Sequence, residues 1–71
     1  MKVDTLFDRG HKRKCVCCGS NKNLTFDHII PISKGGDDLS NNGQVLCVRC
    51  NGKKGNSIIS LEKLRIKIFG K

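Results

Sequence analysis

The chain has 71 residues, with 14 lysines and arginines against 6 aspartates and glutamates, and its formal net charge is +8. This length leaves room for one thin domain, and the only aromatic residues are 3 phenylalanines, so we expect a metal or disulfide staple rather than a fold held by its core alone. The charge favours a polyanionic partner without distinguishing DNA, RNA and a membrane surface. No apolar run approaches membrane-spanning length and no leader-like segment follows Met1, so we expect a cytoplasmic protein with no membrane partner.

The N-terminal segment, residues 1–14, ends in a basic run. It is predicted to form either a short helix around Leu6 or a flexible arm. Three cations of the run are candidates for contacts with nucleic acid: Lys12, Arg13 and Lys14.

Four cysteines form two Cys-x-x-Cys pairs. They are Cys15, Cys18, Cys47 and Cys50. Each pair has the spacing of a metal knuckle, and four thiolates are the ligand set of a closed tetrahedral zinc site, so we predict structural zinc. A disulfide framework is the alternative, but the chain has 5 cysteines, an odd number, and the short spacing suits a metal better. Gly19 permits a tight turn directly after the first pair, which favours Cys15 and Cys18 as the ligands. Cys17 is then either a bystander or a competitor for the place of Cys15 or Cys18.

Two strands are predicted between the knuckles. The segment from Leu24 to Ile30 is apolar and rich in β-branched residues, and Pro31 ends it. Residues 31–43 form a loop dense in turn-forming residues, in which the Gly35-Gly36 pair indicates a tight turn rather than a phosphate cradle. Residues 44–46 form a short second strand that leads into the second knuckle.

Two helices are predicted after the second strand. The first runs from about Val48 to Lys54 and ends at Gly55. The second runs from residue 57 or 60 to Phe69, although its apolar residues also alternate as in a strand; we favour a helix. We expect residues 56–71 to form an amphipathic helix that packs on the core.

Residues 15–55 carry one ordered pattern: Cys-x-x-Cys-Gly, then Asp-His-Ile-Ile-Pro-x-Ser-Lys-Gly-Gly, then Asn-x-x-x-x-Cys-x-x-Cys-Asn-x-x-Lys-Gly. This pattern resembles the HNH endonuclease family. The resemblance implies a small, zinc-stabilised α+β domain with the ββα-metal (HNH) fold, residues 15–55 being the nuclease core and a helix flanking it at the C-terminus. It also implies that a hairpin and a helix hold one divalent cation, Mg²⁺ or Mn²⁺, and that DNA is hydrolysed to give nicks or double-strand breaks. At the third signature position, where many members have His, this chain has Asn51.

The resemblance assigns catalytic roles to four residues: Asp27, His28, Asn42 and Asn51. His28 suits a general base because a neutral imidazole accepts a proton near pH 7. Asp27 and Asn51 offer the hard oxygen ligands that Mg²⁺ or Mn²⁺ prefers. Asn42 would orient the backbone near His28, with Asn41 as its rival. A regular strand would point Asp27 and His28 to opposite faces, so we predict a bulge or twist there.

Further phosphate contacts are predicted for cations of the core. They are Lys34, Arg49, Lys53 and Lys54. The alternative function is a zinc-knuckle nucleic-acid-binding module without hydrolytic activity, which would need the cysteines and the basic surface but neither Asp27 nor His28. Such a small family member is also expected to work as a dimer or beside a larger partner, such as a phage packaging component.

Overall fold

The structure is a computed structural model that describes residues 2–70; residues 1 and 71 of the predicted terminal segments lie outside the described residues. The helices and strands are α1 (Val3–Asp8), β1 (Leu24–His28), β2 (Gly43–Cys47), α2 (Val48–Lys54) and α3 (Leu61–Phe69). Short 3-10 turns at Ile32–Lys34 and Ser40–Asn42 lie in the loop between the strands. Within residues 2–70, no helix has the length and apolar character needed to cross a membrane.

Strands β1 and β2 form an antiparallel hairpin whose pairing is continuous from Leu24 opposite Cys47 to His28 opposite Gly43. The predicted bulge at Asp27 and His28 is therefore wrong. β1 also ends two residues before the predicted Ile30. The cause is Asn42, because its backbone and side-chain oxygens accept the N–H groups of Ile29 and Ile30 at 2.9 and 3.0 Å and replace the ladder there.

Helix α1 packs on one face of this hairpin, so the first of the two N-terminal alternatives, a short helix, is the one observed. Leu6 is completely buried. A Cβ at Gly43 would come within 2.6 Å of the Phe26 ring and 2.9 Å of Leu6, so only glycine lets helix and strand approach so closely. After the helix, the guanidinium of Arg13 lies 4.4 Å from the centre of the Phe7 ring.

Residues Leu61–Phe69 form helix α3, which packs against α2, so the strand alternative for this segment is wrong. Ser60 caps it by accepting the N–H of Lys63 at 3.2 Å. Leu64 is completely buried beside Leu46 and four of the cysteines. Arg65 donates to the backbone carbonyls of residues 16 and 17 at 2.9 and 2.8 Å, which ties α3 to the first knuckle. Cysteine side chains thus make up most of the buried cluster against which α3 packs.

Candidate active site

The four predicted zinc ligands converge. Their sulfur atoms all lie within 4.8 Å of one another, and the Sγ atoms of Cys18 and Cys47 are 3.7 Å apart. Zinc–sulfur bonds of ~2.3 Å in a tetrahedron place neighbouring sulfurs about 3.8 Å apart, whereas a disulfide would require about 2.05 Å. All five cysteines are free thiols, and the fifth, Cys17, is buried beside the cluster. The donor set fits a structural zinc and not the disulfide alternative.

The two knuckles have the same local geometry. The N–H of Cys18 points at the Sγ of Cys15 at 3.5 Å, and the N–H of Cys50 points at the Sγ of Cys47 at 3.4 Å. Gly19 has a φ of +81°, which is the tight turn expected of it. Burial by itself raises the pKa of Cys15, but the backbone N–H groups of residues 18, 47 and 17 outweigh it and lower this pKa to about 6. Burial raises the pKa values of Cys50 and Cys18, and a bound metal would favour the thiolate form of both.

A separate cavity of about 420 Å³ lies at the end of β1. Its lining residues come from β1, from the loop that follows β1, and from α2 and the turn after it. They are Phe26, Asp27, His28, Pro31, Ile32, Ser33, Asn51 and Asn56. The structure therefore brings Asp27, His28 and Asn51 to one cavity.

Regular pairing does not prevent this convergence. The Phe26 and His28 rings lie on one face of β1 with centroids 5.0 Å apart, while Thr25 and Asp27 face α2. His28 is the last residue of the strand. Because the cavity wraps around the strand end, it receives side chains from both faces without a bulge.

Asp27 is buried, and Gln44 and Lys54 both contact the same oxygen of its carboxylate. Gln44, directly opposite it in the hairpin, donates to Oδ2 at 2.9 Å, and the Lys54 Nζ lies 3.2 Å from Oδ2. Lys54 also donates to the carbonyl of His28 at 3.0 Å. This leaves Oδ1 as the carboxylate oxygen for another ligand. Gln44 is not among the residues predicted from sequence. Its place opposite Asp27 in the paired strands is the feature that could have indicated it.

The prediction that Lys54 contacts a phosphate is wrong for this structure. The Lys54 side chain is buried, since the last turn of α2 packs against β1. Both contacts of its ammonium group are internal, to Asp27 and to the His28 carbonyl. Lys54 instead supplies a buried counter-charge to Asp27 and a donor to the backbone at His28.

The orientation of the Asn51 amide follows from its neighbour. The Thr25 hydroxyl donates its only proton to the Leu46 carbonyl at 2.7 Å, so it must accept from Asn51 Nδ2, which lies 2.8 Å away. The amide oxygen of Asn51 is therefore the end that remains for a ligand. Asp27 and Asn51 thus both line the cavity with oxygen donors, the ligand type that Mg²⁺ or Mn²⁺ prefers. The Lys54 ammonium, 3.2 Å from Asp27 Oδ2, would repel a metal ion and so weaken the attraction between that ion and the Asp27 carboxylate.

Asn42 holds the loop to the strand end, and Asn41, which is exposed, does not take this place. Asn42 is buried and donates through Nδ2 to the carbonyls of Ile30 and Asp37 at 2.9 and 2.8 Å. A Cβ at Gly36 would overlap the Ile30 carbonyl and lie 2.9 Å from this Nδ2. The N–H groups of Gly35 and Gly36 bond back to Ile32 and Pro31, as in the tight turn predicted there.

Two polar pairs at the cavity were not predicted from sequence. Asp38, in the loop, lies 2.7 Å from His28 through Oδ1 and Nε2. The hydrogen bond with His28 is the main reason that the pKa of Asp38 lies below its ordinary value. Asn56 donates to the Ser33 hydroxyl at 2.7 Å, which leaves the hydroxyl proton of Ser33 for another acceptor. No spacing in the sequence signals either pair, because loop folding creates both.

The remaining candidates for phosphate contacts are exposed. They are Lys12, Arg13, Lys14, Lys34, Arg49 and Lys53. Lys34 follows the cavity residue Ser33, and Lys53 lies in α2 two residues after Asn51. The guanidinium of Arg49 lies 5.9 Å from the centre of the Phe69 ring, at the end of α3.

A sequence model of a protein family, described as HNH endonuclease, matches residues 15–61, which is more than half of the chain. The match includes both knuckles and every described residue of the cavity. No curated protein and no solved structure matches the chain.

Proposed function

This chain belongs to the HNH endonuclease family, and from that premise we propose that it hydrolyses phosphodiester bonds of DNA with one divalent metal ion. Family membership implies a nucleic acid substrate, and the cysteine cluster fits the zinc-stabilised α+β domain of such a protein. The observation that carries the proposal is the cavity common to Asp27, His28 and Asn51.

The metal ligands in this proposal are Asp27 Oδ1 and the amide oxygen of Asn51. Gln44 and Lys54 engage the other oxygen of Asp27, and Thr25 engages the amide nitrogen of Asn51, so both ligands have a defined orientation. A bound Mg²⁺ or Mn²⁺ would act as a Lewis acid on the scissile phosphate and neutralise charge on the departing oxygen.

His28 acts as the general base in the cleavage step. It takes a proton from a water molecule at its free ring nitrogen while the water oxygen bonds to phosphorus. The bond from phosphorus to the 3′-oxygen breaks, and that oxygen gains a proton from solvent. Asn42 supports this step by holding the backbone two residues beyond His28.

DNA would approach across a strongly positive surface. The formal charge of +8 falls to about +6 when four thiolates bind one Zn²⁺. Six exposed lysines and arginines near the knuckles, the loop and α2 remain for phosphate contacts. Contacts of this kind position a nucleic acid without reading its sequence, so we expect little base preference.

Nicking of supercoiled plasmid by the zinc-loaded protein, with Mg²⁺ and with Mn²⁺, tests the proposal. Replacing His28 by Ala should lower the cleavage rate by about 10²- to 10⁴-fold, the usual contribution of a general base. His11→Ala is the matched control, because the chain has 2 histidines and His11 lies outside the cavity. Equal nicking by the wild-type protein and His28→Ala, with zinc content verified, would refute this assignment.

The alternative, a zinc-knuckle module that binds nucleic acid without cutting it, uses the same cysteines and cations. It makes the opposite prediction for the same samples: salt-sensitive DNA binding, no nicking with either metal, and equal affinity for wild type and His28→Ala. The joint presence of Asp27, His28 and Asn51 at one cavity favours the enzyme, since binding alone requires none of them.

A further inference from the structure

The loop between β1 and β2 places an acidic side chain against the predicted general base. Asp38 Oδ1 lies 2.7 Å from His28 Nε2. The two residues are ten positions apart in sequence, and neither the family pattern quoted above nor strand pairing relates them. His28 lines the cavity and Asp38 is not among its lining residues, so the pair joins a cavity residue to the loop beside it.

The contact determines which ring nitrogen is basic. An ionised carboxylate only accepts hydrogen bonds, so the proton of a neutral His28 must reside on Nε2. The lone pair is then on Nδ1, and this atom receives the proton of the attacking water. After that transfer the ring is an imidazolium, whose positive charge the Asp38 carboxylate stabilises.

The position of Asp38 is itself built into the fold. The neighbouring Asp37 carbonyl is held by Asn42 Nδ2 at 2.8 Å, and the Asp37 carboxylate accepts the N–H of Leu39 at 3.3 Å. The His28 ring also packs edge-on against Phe26, with a ring-centre distance of 5.0 Å and an interplanar angle of 65°. The ring is thus supported by an aromatic neighbour and oriented by a hydrogen-bonded acid.

We propose that Asp38 is a positioning residue that holds His28 in the Nε2–H tautomer with Nδ1 available for the water proton. This inference rests on the proposed nuclease function for its catalytic consequence. The pairing itself is a property of the protein without substrate, and it can be measured separately.

The first measurement is ¹⁵N NMR of the imidazole nitrogens in the zinc-loaded protein near neutral pH. His11→Gln removes the signals of the only other histidine and so assigns those of His28. In the wild-type protein the neutral form of the ring should carry its proton on Nε2, with that proton shifted downfield by the short hydrogen bond. In Asp38→Asn the amide can present its N–H₂ group to Nε2, so the Nδ1–H tautomer should gain population. Identical His28 spectra for wild type and Asp38→Asn would overturn the proposal.

The second measurement separates kcat from KM for plasmid cleavage. Asp38→Asn should lower kcat roughly tenfold, the lower end of the range for partners that orient a site histidine, because Asp38 is largely exposed. Asp37→Asn is the matched control: it removes the same charge one residue away and retains an oxygen for the Leu39 N–H. Each substitution removes one negative charge, so both variants should bind DNA more tightly. Only Asp38→Asn should have a lower kcat. Equal kcat values for the two variants would refute the positioning role.

The two measurements also separate this inference from the proposed function. A wild-type protein that cleaves no DNA contradicts the proposed function, whatever the NMR spectra show. If the wild-type protein cleaves DNA but Asp38→Asn changes neither the His28 spectrum nor kcat, only the proposed role of Asp38 is contradicted.

Discussion

Lys54 offers the sharpest test of how this small fold supports its cavity. The change is Lys54→Met, which keeps a long unbranched side chain in the same space but removes the ammonium group. In the structure the side chains of Lys54 and Asp27 are 1% and 6% exposed, and Nζ lies 3.2 Å from Oδ2. The variant therefore leaves a buried carboxylate that keeps the amide of Gln44 as a partner but has no counter-charge from Lys54. It also removes the donor to the His28 carbonyl.

The expected cost is large for a domain of this size. Removing one partner of a buried ion pair destabilises a protein by about 3–5 kcal/mol, because the other charge stays buried without compensation. A domain has a free energy of unfolding of about 5–15 kcal/mol, and a 71-residue chain belongs near the lower end. Lys54→Met should thus remove about half or more of the stability. The double variant Asp27→Asn/Lys54→Met, in which both charges are gone, should be more stable than Lys54→Met alone.

Urea unfolding followed by circular dichroism measures these free energies, with zinc held at one saturating concentration because metal binding is coupled to folding. Lys53→Met is the matched control, since the same substitution falls on the exposed neighbour in α2 and should change stability by less than about 0.5 kcal/mol. If Lys54→Met is as stable as Lys53→Met, the ammonium group is not the buried counter-charge of Asp27, and the reasoning fails.

Two further predictions concern the zinc cluster and the loop. Cys47→Ser removes one of four converging thiolates, so we expect loss of zinc and of native circular dichroism, and elemental analysis with the spectrum checks this; a folded, zinc-free Cys47→Ser protein with native activity would contradict it. Gly36→Ala forces a Cβ into the Ile30 carbonyl, and neighbouring backbone cannot yield cheaply, so we expect a loss of about 1–3 kcal/mol and slower nicking. Gly52→Ala, where a Cβ meets open space, is its control and should be at least as stable as wild type.

The features that could be predicted from sequence were those that depend on residues close together in the chain. Two Cys-x-x-Cys pairs carry a ligand set within four residues each, so the zinc cluster could be inferred before any fold was known. The hairpin and α2 followed from β-branched residues, turn formers and a helix-stopping glycine. The common cavity of Asp27, His28 and Asn51 also agrees with the prediction from the family pattern, although a distorted strand was expected and a regular one is observed.

Tertiary packing decided the rest. Lys54 looked like a surface cation because sequence shows its position at a helix end but not the strand against which that end presses. Asp38 and Gln44 became neighbours of the cavity only when the loop and the hairpin closed. The sequence by itself thus determined the family, the metal-binding thiols and the candidate catalytic side chains. Which charges are buried and which acid meets His28 depend on distances between segments far apart in the chain, and only the folded structure sets those distances.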